Sequence, residues 1–219
     1  MILYAAETIL YLTFLGMDIF GLGNTTPLKF LSILLLTLSV LDFREKTVTI
    51  ALAFTAAADV FLLLLDRYYE AGILCFIAVQ ICYALRLQKE TGGSFLPYLL
   101  SPLAGLAACS IRGFGLTETL AAAYIALFAV NLVRACILAG SRQERKWLLF
   151  AVGLALFFCC DLCVGLHNLP SLGSAELHRF ANVAMWGFYL PGQCLIRASA
   201  YPAVRKETVL GKAKGFPAY

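Results

Sequence analysis

Two carboxylic acids stand deep in apolar runs of this chain. Asp59 lies in AFTAAADVFLLLLD (53–66), and Asp161 lies in ALFFCCDLCVGLHN (155–168). On insertion scales a carboxylate near the centre of a membrane helix costs about 2.5–3.5 kcal/mol, so it normally faces the bundle interior and has a task there. Two such groups brought together with little water do not both ionise readily; one keeps its proton while the other is charged. That division suits hydrolysis by acid and base, with a proton donor and a base or charge stabiliser in one pocket. The same groups could relay protons in a small proton-coupled transporter, or hold helices together through a hydrogen bond. Residue chemistry leaves all three readings open.

Other polar residues recur beside these positions. Gln80 and Tyr83 share a face of one helix, and Tyr189 and Gln193 share a face of another, each pair spaced for neighbouring turns. Asp66 and Asn168 each follow an acidic residue by seven positions, two helical turns later on the same face. Asp66 reads as a solvated helix-end residue, and His167 and His178 as residues in or beside an outer loop. The eight cysteines all fall in apolar runs, where free cysteine packs as a small hydrophobe. Cys159, Cys160 and Cys163 form a cluster, but no second Cys/His set accompanies it, so neither a metal nor any other cofactor is expected.

The elements that must position these groups follow from composition. Of 219 residues 61% are hydrophobic and 14% charged, against about 45–50% and 25% in soluble domains. Breaking the chain at its polar, Gly and Pro punctuation predicts helices near 2–20, 27–42, 47–66, 70–88, 94–111, 117–139, 146–167 and 176–198. Several of these runs can cross about 30 Å of hydrocarbon, where backbone polar groups must be satisfied internally and helix is the available form. The fold class expected is therefore all-α: a polytopic membrane helix bundle of about eight transmembrane helices. Residues 1–200 form one integral membrane domain, and 201–219 form a short basic cytoplasmic tail. The first helix is interrupted by Glu7 and Asp18 and lacks the basic n-region of a cleavable signal peptide. Short connections make sequential helices antiparallel neighbours.

Charge sets the orientation. Of the 17 Lys and Arg residues, Arg44, Lys46, Arg86, Lys89, Arg142, Arg145, Lys146, Arg205, Lys206, Lys212 and Lys214, with Arg134 and Arg197 at helix ends, fall on one side. Lys29, Arg67, Arg112 and Arg179 fall on the other. Both termini are expected in the cytoplasm, and the net charge of +4 reflects topology rather than a nucleic-acid partner. Helices three and seven then run parallel, with Asp59 and Asp161 at similar depth in the outer half of the bilayer. Their matching patterns suggest a four-helix pseudo-repeat, and the two helices are expected to be neighbours.

The run ADVFLLLLDRYYEAGILCFIAVQICYAL (58–85) resembles the first signature of the YhhN-like lysoplasmalogenase family. There an Asp in an apolar helix is followed by a short loop and a helix with a polar residue three before a Tyr. FFCCDLCVGLHNL (157–169) resembles the second signature, and MWGFYLPGQCLIRAS (185–199) is similar to the family's closing helix. Pro27-Leu28-Lys29 matches the basic start of helix two. The resemblance implies a hydrolase of the vinyl ether bond of lysoplasmalogens, releasing a fatty aldehyde and glycerophosphocholine or glycerophosphoethanolamine. It carries over Asp59 and Asp161 as the acid/base pair. Gln80, Tyr83, Tyr189, Gln193 and Asn168 would orient substrate and water, with Lys29 on the lipid phosphate. The partners implied are a lysophospholipid substrate and membrane lipids, in a bacterial inner membrane. Ala58 and Cys160 stand where the family often has Gly or Ser, and Gln80 where a His is expected.

Overall fold

The structure, a computed structural model, describes residues 2–40, 45–168 and 174–201, with side chains described from residue 5 onward. Arg44 and the tail residues Arg205, Lys206, Lys212 and Lys214 lie outside the described residues. Among the described residues there are eight α-helices and no strand: α1 (Ile2–Phe20), α2 (Thr26–Leu38), α3 (Lys46–Asp59), α4 (Tyr69–Thr91), α5 (Leu96–Arg112), α6 (Leu116–Arg142), α7 (Arg145–Asn168) and α8 (Ala175–Ala198). A π-helical turn, Val60–Leu64, extends α3. Four helical segments are long and apolar enough to cross a membrane: Lys46–Leu64, Tyr69–Thr91, Leu116–Arg142 and Arg145–Asn168. Large apolar side chains such as Leu12, Leu99, Ile137 and Leu148 remain exposed around the outside, as a lipid-facing coat requires.

Local chemistry fixes the helix ends. Pro27 stands in the first turn of α2, where its missing N–H leaves no bond unmade. Ser174 caps α8 by accepting the Leu177 amide at 3.3 Å. Gly92, with φ +60°, closes α4 in the left-handed conformation that a side chain would strain. α2 stops earlier than its apolar run suggests, because the chain turns at Ser39–Val40.

Six helices close a ring in the order α2, α3, α4, α6, α7, α8, and back to α2. α1 packs outside on α2 and α8, while α5 packs outside on α6. This corrects two expectations. Sequential helices are not always neighbours: α4 packs directly on α6, because α5 leans onto α6 where Gly105 lies so near the Ala122 carbonyl that a Cβ would come within 2.8 Å of it. Nor do α3 and α7 pack side by side; they occupy opposite walls of the ring. Shifting every ring helix by four in the chain maps the ring onto itself, taking α3 to α7 and α4 to α8. This is the relation produced by parallel repeats about an axis along the membrane normal.

The middle of α8 contains a break that its neighbour repairs. Pro191 has no amide proton, so the Gly187 carbonyl one turn earlier loses its helical partner. The Tyr11 hydroxyl of α1 donates to that carbonyl at 3.1 Å. In a membrane interior such substitution keeps a proline tolerable. Tyr11→Phe is expected to lower unfolding stability in detergent by about 1 kcal/mol. In a Pro191→Ala background the same change should be nearly silent, since the restored amide serves the carbonyl. Equal losses in both backgrounds, measured by thermal unfolding, would contradict this account.

Candidate active site

Asp59 is the last α-helical residue of α3, immediately before the π turn. π turns insert one residue into a helix and recur at functional sites. Here the turn is held by Leu62 against α4 at Gly72, where a Cβ would lie 2.5 Å from the Leu62 Cγ. Asp59 is buried, and its Oδ2 accepts the Tyr189 hydroxyl of α8 at 2.7 Å. On the opposite wall, Asp161 of α7 accepts the Tyr124 hydroxyl of α6 through its Oδ2 at 2.6 Å. Both carboxyls thus face the ring interior, each fixed by one tyrosine, with Oδ1 unengaged by any described residue. Phe157, one turn before Asp161, meets the ring of Tyr189, the partner of Asp59, which links the two acids through one aromatic contact.

Aromatic rings separate this neighbourhood from the side where α3 and α7 begin. Phe157, one turn before Asp161, meets Phe128 at 5.1 Å, Phe76 at 5.7 Å and Tyr189 at 5.7 Å between ring centres. Tyr124 completes the layer against Phe76 and Phe128 at 5.9 and 5.8 Å. Phe128, Phe157 and, further down, Tyr83 and Phe150 are fully buried. Such packing keeps the dielectric low around the acids and strengthens any charge interaction there.

The remaining expected residues have distinct placements. Gln80 is fully buried; its Oε1 accepts Asn131 Nδ2 at 2.9 Å, and its backbone carbonyl accepts the same nitrogen at 2.8 Å. Tyr83 stacks edge-on against Phe150 at 5.3 Å, with its hydroxyl unpartnered. Gln193 is fully buried with both amide atoms unpartnered, as is Gln80 Nε2. Buried polar groups nearly always find a partner, so these atoms retain capacity for water or a polar substrate. Lys29 is ion-paired to Asp18 at 2.7 Å and lies 4.7 Å over the Trp186 ring, which in turn meets Tyr189 at 5.4 Å. Asn168 stands apart: it is exposed at the end of α7, its amide donating to Val164 of its own helix at 2.9 Å. Asp66 and His167 are exposed, and all eight cysteines are unpaired.

Sequence reasoning passed over Tyr124 and Asn131, both buried on α6. Their signal was available: they are seven residues apart, on one face of an apolar helix. It also treated Arg86 and Arg197 as surface charges of the positive side. Arg86 is 2% exposed, bonded to Glu45 at 3.0 and 2.7 Å and to Ser199 at 2.7 and 3.0 Å, with Phe150 4.4 Å away. This network joins α4, the start of α3 and the end of α8.

The profile of the YhhN family matches residues 24–200. No curated protein and no solved structure gives a significant match.

Proposed function

Because the chain belongs to the YhhN family, we propose that it hydrolyses the vinyl ether bond of lysoplasmalogens inside the membrane, with Asp59 and Asp161 as the acid/base pair. The observation that supports this reading is the pair of carboxyls on opposite helices of the ring, each held by a tyrosine hydroxyl. Vinyl ether cleavage begins with a proton delivered to the β-carbon, forming a C–H bond and leaving an oxocarbenium ion. Water then attacks the α-carbon and passes a proton to the second carboxylate. The resulting hemiacetal gives its hydroxyl proton to the first, now ionised, carboxylate while the second, now protonated, carboxyl protonates the departing glycerol oxygen. The bond to that oxygen breaks, a fatty aldehyde and a glycerophospho-base leave, and both acids regain their starting states. One carboxyl supplies the first proton; the other stabilises the cation and receives the proton from water. Tyr189 and Tyr124 hold the acids in register, leaving Oδ1 of each for the reacting groups. Gln80, Gln193 and Tyr83 offer unpartnered polar atoms to water and the ether oxygen.

The direct test is aldehyde release by the purified chain in neutral detergent, with the saturated ether lysolipid as a substrate that must remain intact. No aldehyde from any vinyl ether would remove this reading. Loss of either tyrosine hydroxyl frees one acid, so Tyr189→Phe and Tyr124→Phe are each expected to slow release about 10- to 100-fold, the equivalent of a charge-assisted hydrogen bond. Tyr98→Phe, altering a hydroxyl unpartnered in a separate cluster with Ala84 and Leu127, should leave the rate unchanged.

Proton-coupled transport by the same carboxylates requires a path that opens to both sides. The aromatic layer below the acids and the Arg86–Glu45–Ser199 network fill the inner half of the ring, a packing that favours hydrolysis.

A further inference from the structure

Glu7 is a further buried acid, carried by α1 outside the six-helix ring and unused by the proposed chemistry. It is 3% exposed, and neither carboxylate oxygen has a hydrogen-bond partner. Glu7 lines a cavity of about 200 Å³ between α1 and α8, together with Thr8, Tyr11, Leu190, Pro191 and Cys194. Of the residues lining it, Thr8 is exposed. The cavity's lining is mainly apolar, and neither α8 at Pro191 nor the Tyr11 hydroxyl supplies the acid with a donor. The Tyr11 hydroxyl donates to Gly187, and Pro191 has no amide proton to give. Arg197 acts on Glu7 through space, while its guanidinium bonds Ser39 and lies 5.1 Å from the Tyr201 ring. An acid left this way in an apolar wall is costly, and in a membrane protein it marks a functional position.

We propose that this cavity binds the primary ammonium end of a long-chain amine or amino-lipid, with Glu7 as counter-ion. Two unpartnered oxygens suit a group with several N–H donors and a positive charge, whose bonds to a carboxylate are stronger than neutral ones. At about 30 Å³ per water, the cavity takes an ammonium group and its first few methylenes. The rest of the chain leaves past Thr8, the exposed lining residue, toward lipid. A quaternary ammonium lacks N–H donors, and an alcohol lacks charge, so both should be rejected.

Native mass spectrometry of the full chain from neutral detergent reads this directly. Dodecylamine is expected to give one bound adduct, with dodecyltrimethylammonium and dodecanol at least about tenfold weaker. Glu7→Gln should weaken dodecylamine binding by about tenfold or more, with helix content and aldehyde release unchanged. Cys194→Phe, which fills the cavity but keeps the acid, should abolish the adduct as well, and it answers the question if the Gln variant misfolds. Phosphatidylethanolamine, compared with phosphatidylcholine, identifies the source: a Glu7-dependent adduct of the former assigns the site to bilayer headgroups, and its absence beside a dodecylamine adduct assigns it to free amines. Equal binding of dodecanol, undiminished binding in both variants, or no adduct at all would overturn the proposal.

Discussion

Asp59→Asn and Asp161→Asn are each expected to lower aldehyde release by about 10²- to 10⁴-fold, the usual contribution of a positioned general acid or base, while the helical bundle stays folded. The geometry gives the reason for both halves of that result. Asparagine has nearly the shape of aspartate, and its carbonyl oxygen accepts the hydroxyl of Tyr189 or Tyr124 in the place of Oδ2. What it loses is the capacity to deliver or receive a proton at Oδ1. If the acids act as one unit, the double variant is hardly slower than the worse single one, because groups serving a single step are strongly non-additive. Rates multiply only if each acid serves a separate step. Wild-type-like release from both single variants, in protein that elutes and unfolds normally, would remove the assigned roles and leave the fold alone standing.

How far these features were legible in the sequence depends on whether they are local or relational. Helix positions are local. An expected run at 70–88 became Tyr69–Thr91, and one at 176–198 became Ala175–Ala198, because apolar length and terminal residues determine them. Asp59 and Asp161 were legible for the same reason, since a carboxyl amid leucine and phenylalanine is conspicuous wherever its helix packs. Their partners are relational. Tyr189 reaches Asp59 from α8 only because the ring closes by bringing α8 onto α2, and Tyr124 reaches Asp161 only because α6 borders α7. Nothing in the spacing along one helix specifies which helix lies opposite. The buried Arg86 was hidden differently: charge bias along the sequence does not say whether a guanidinium points to water or inward to Glu45 and Ser199. The repeat is intermediate, a short echo in sequence that becomes clear in the order of the helices round the ring.

Gly153→Leu is expected to abolish the folded protein altogether, because α7 and α8 approach each other more closely than any side chain permits. A Cβ at Gly153 would lie 2.9 Å from the Gly192 carbonyl oxygen, 2.9 Å from the Ile196 amide and 2.8 Å from the Ile196 side chain. The fit is reciprocal: a Cβ at Gly192 would lie 3.0 Å from the Gly153 carbonyl and 3.1 Å from the Phe157 amide. Most of those contacts are backbone, which has no rotamer to move aside. Membrane helices lack a hydrophobic force between them and associate through such close packing of small residues, so the crossing cannot be widened without losing what holds it. It also sets the site: Phe157 and Asp161 follow Gly153 by one and two turns on α7, and Tyr189 precedes Gly192 by about one turn on α8. Even Gly153→Ala should lower the unfolding midpoint by several degrees, the equivalent of about 1–3 kcal/mol of overpacking. It should also slow aldehyde release by shifting Tyr189 relative to Asp59. Gly140→Ala is the control, since a Cβ there meets nothing within 4 Å and alanine is the better helix former by about 1 kcal/mol; that variant should be neutral or slightly more stable. A Gly153→Leu chain that elutes as a monodisperse, cooperatively unfolding species would show that this crossing does not hold the two halves of the site together.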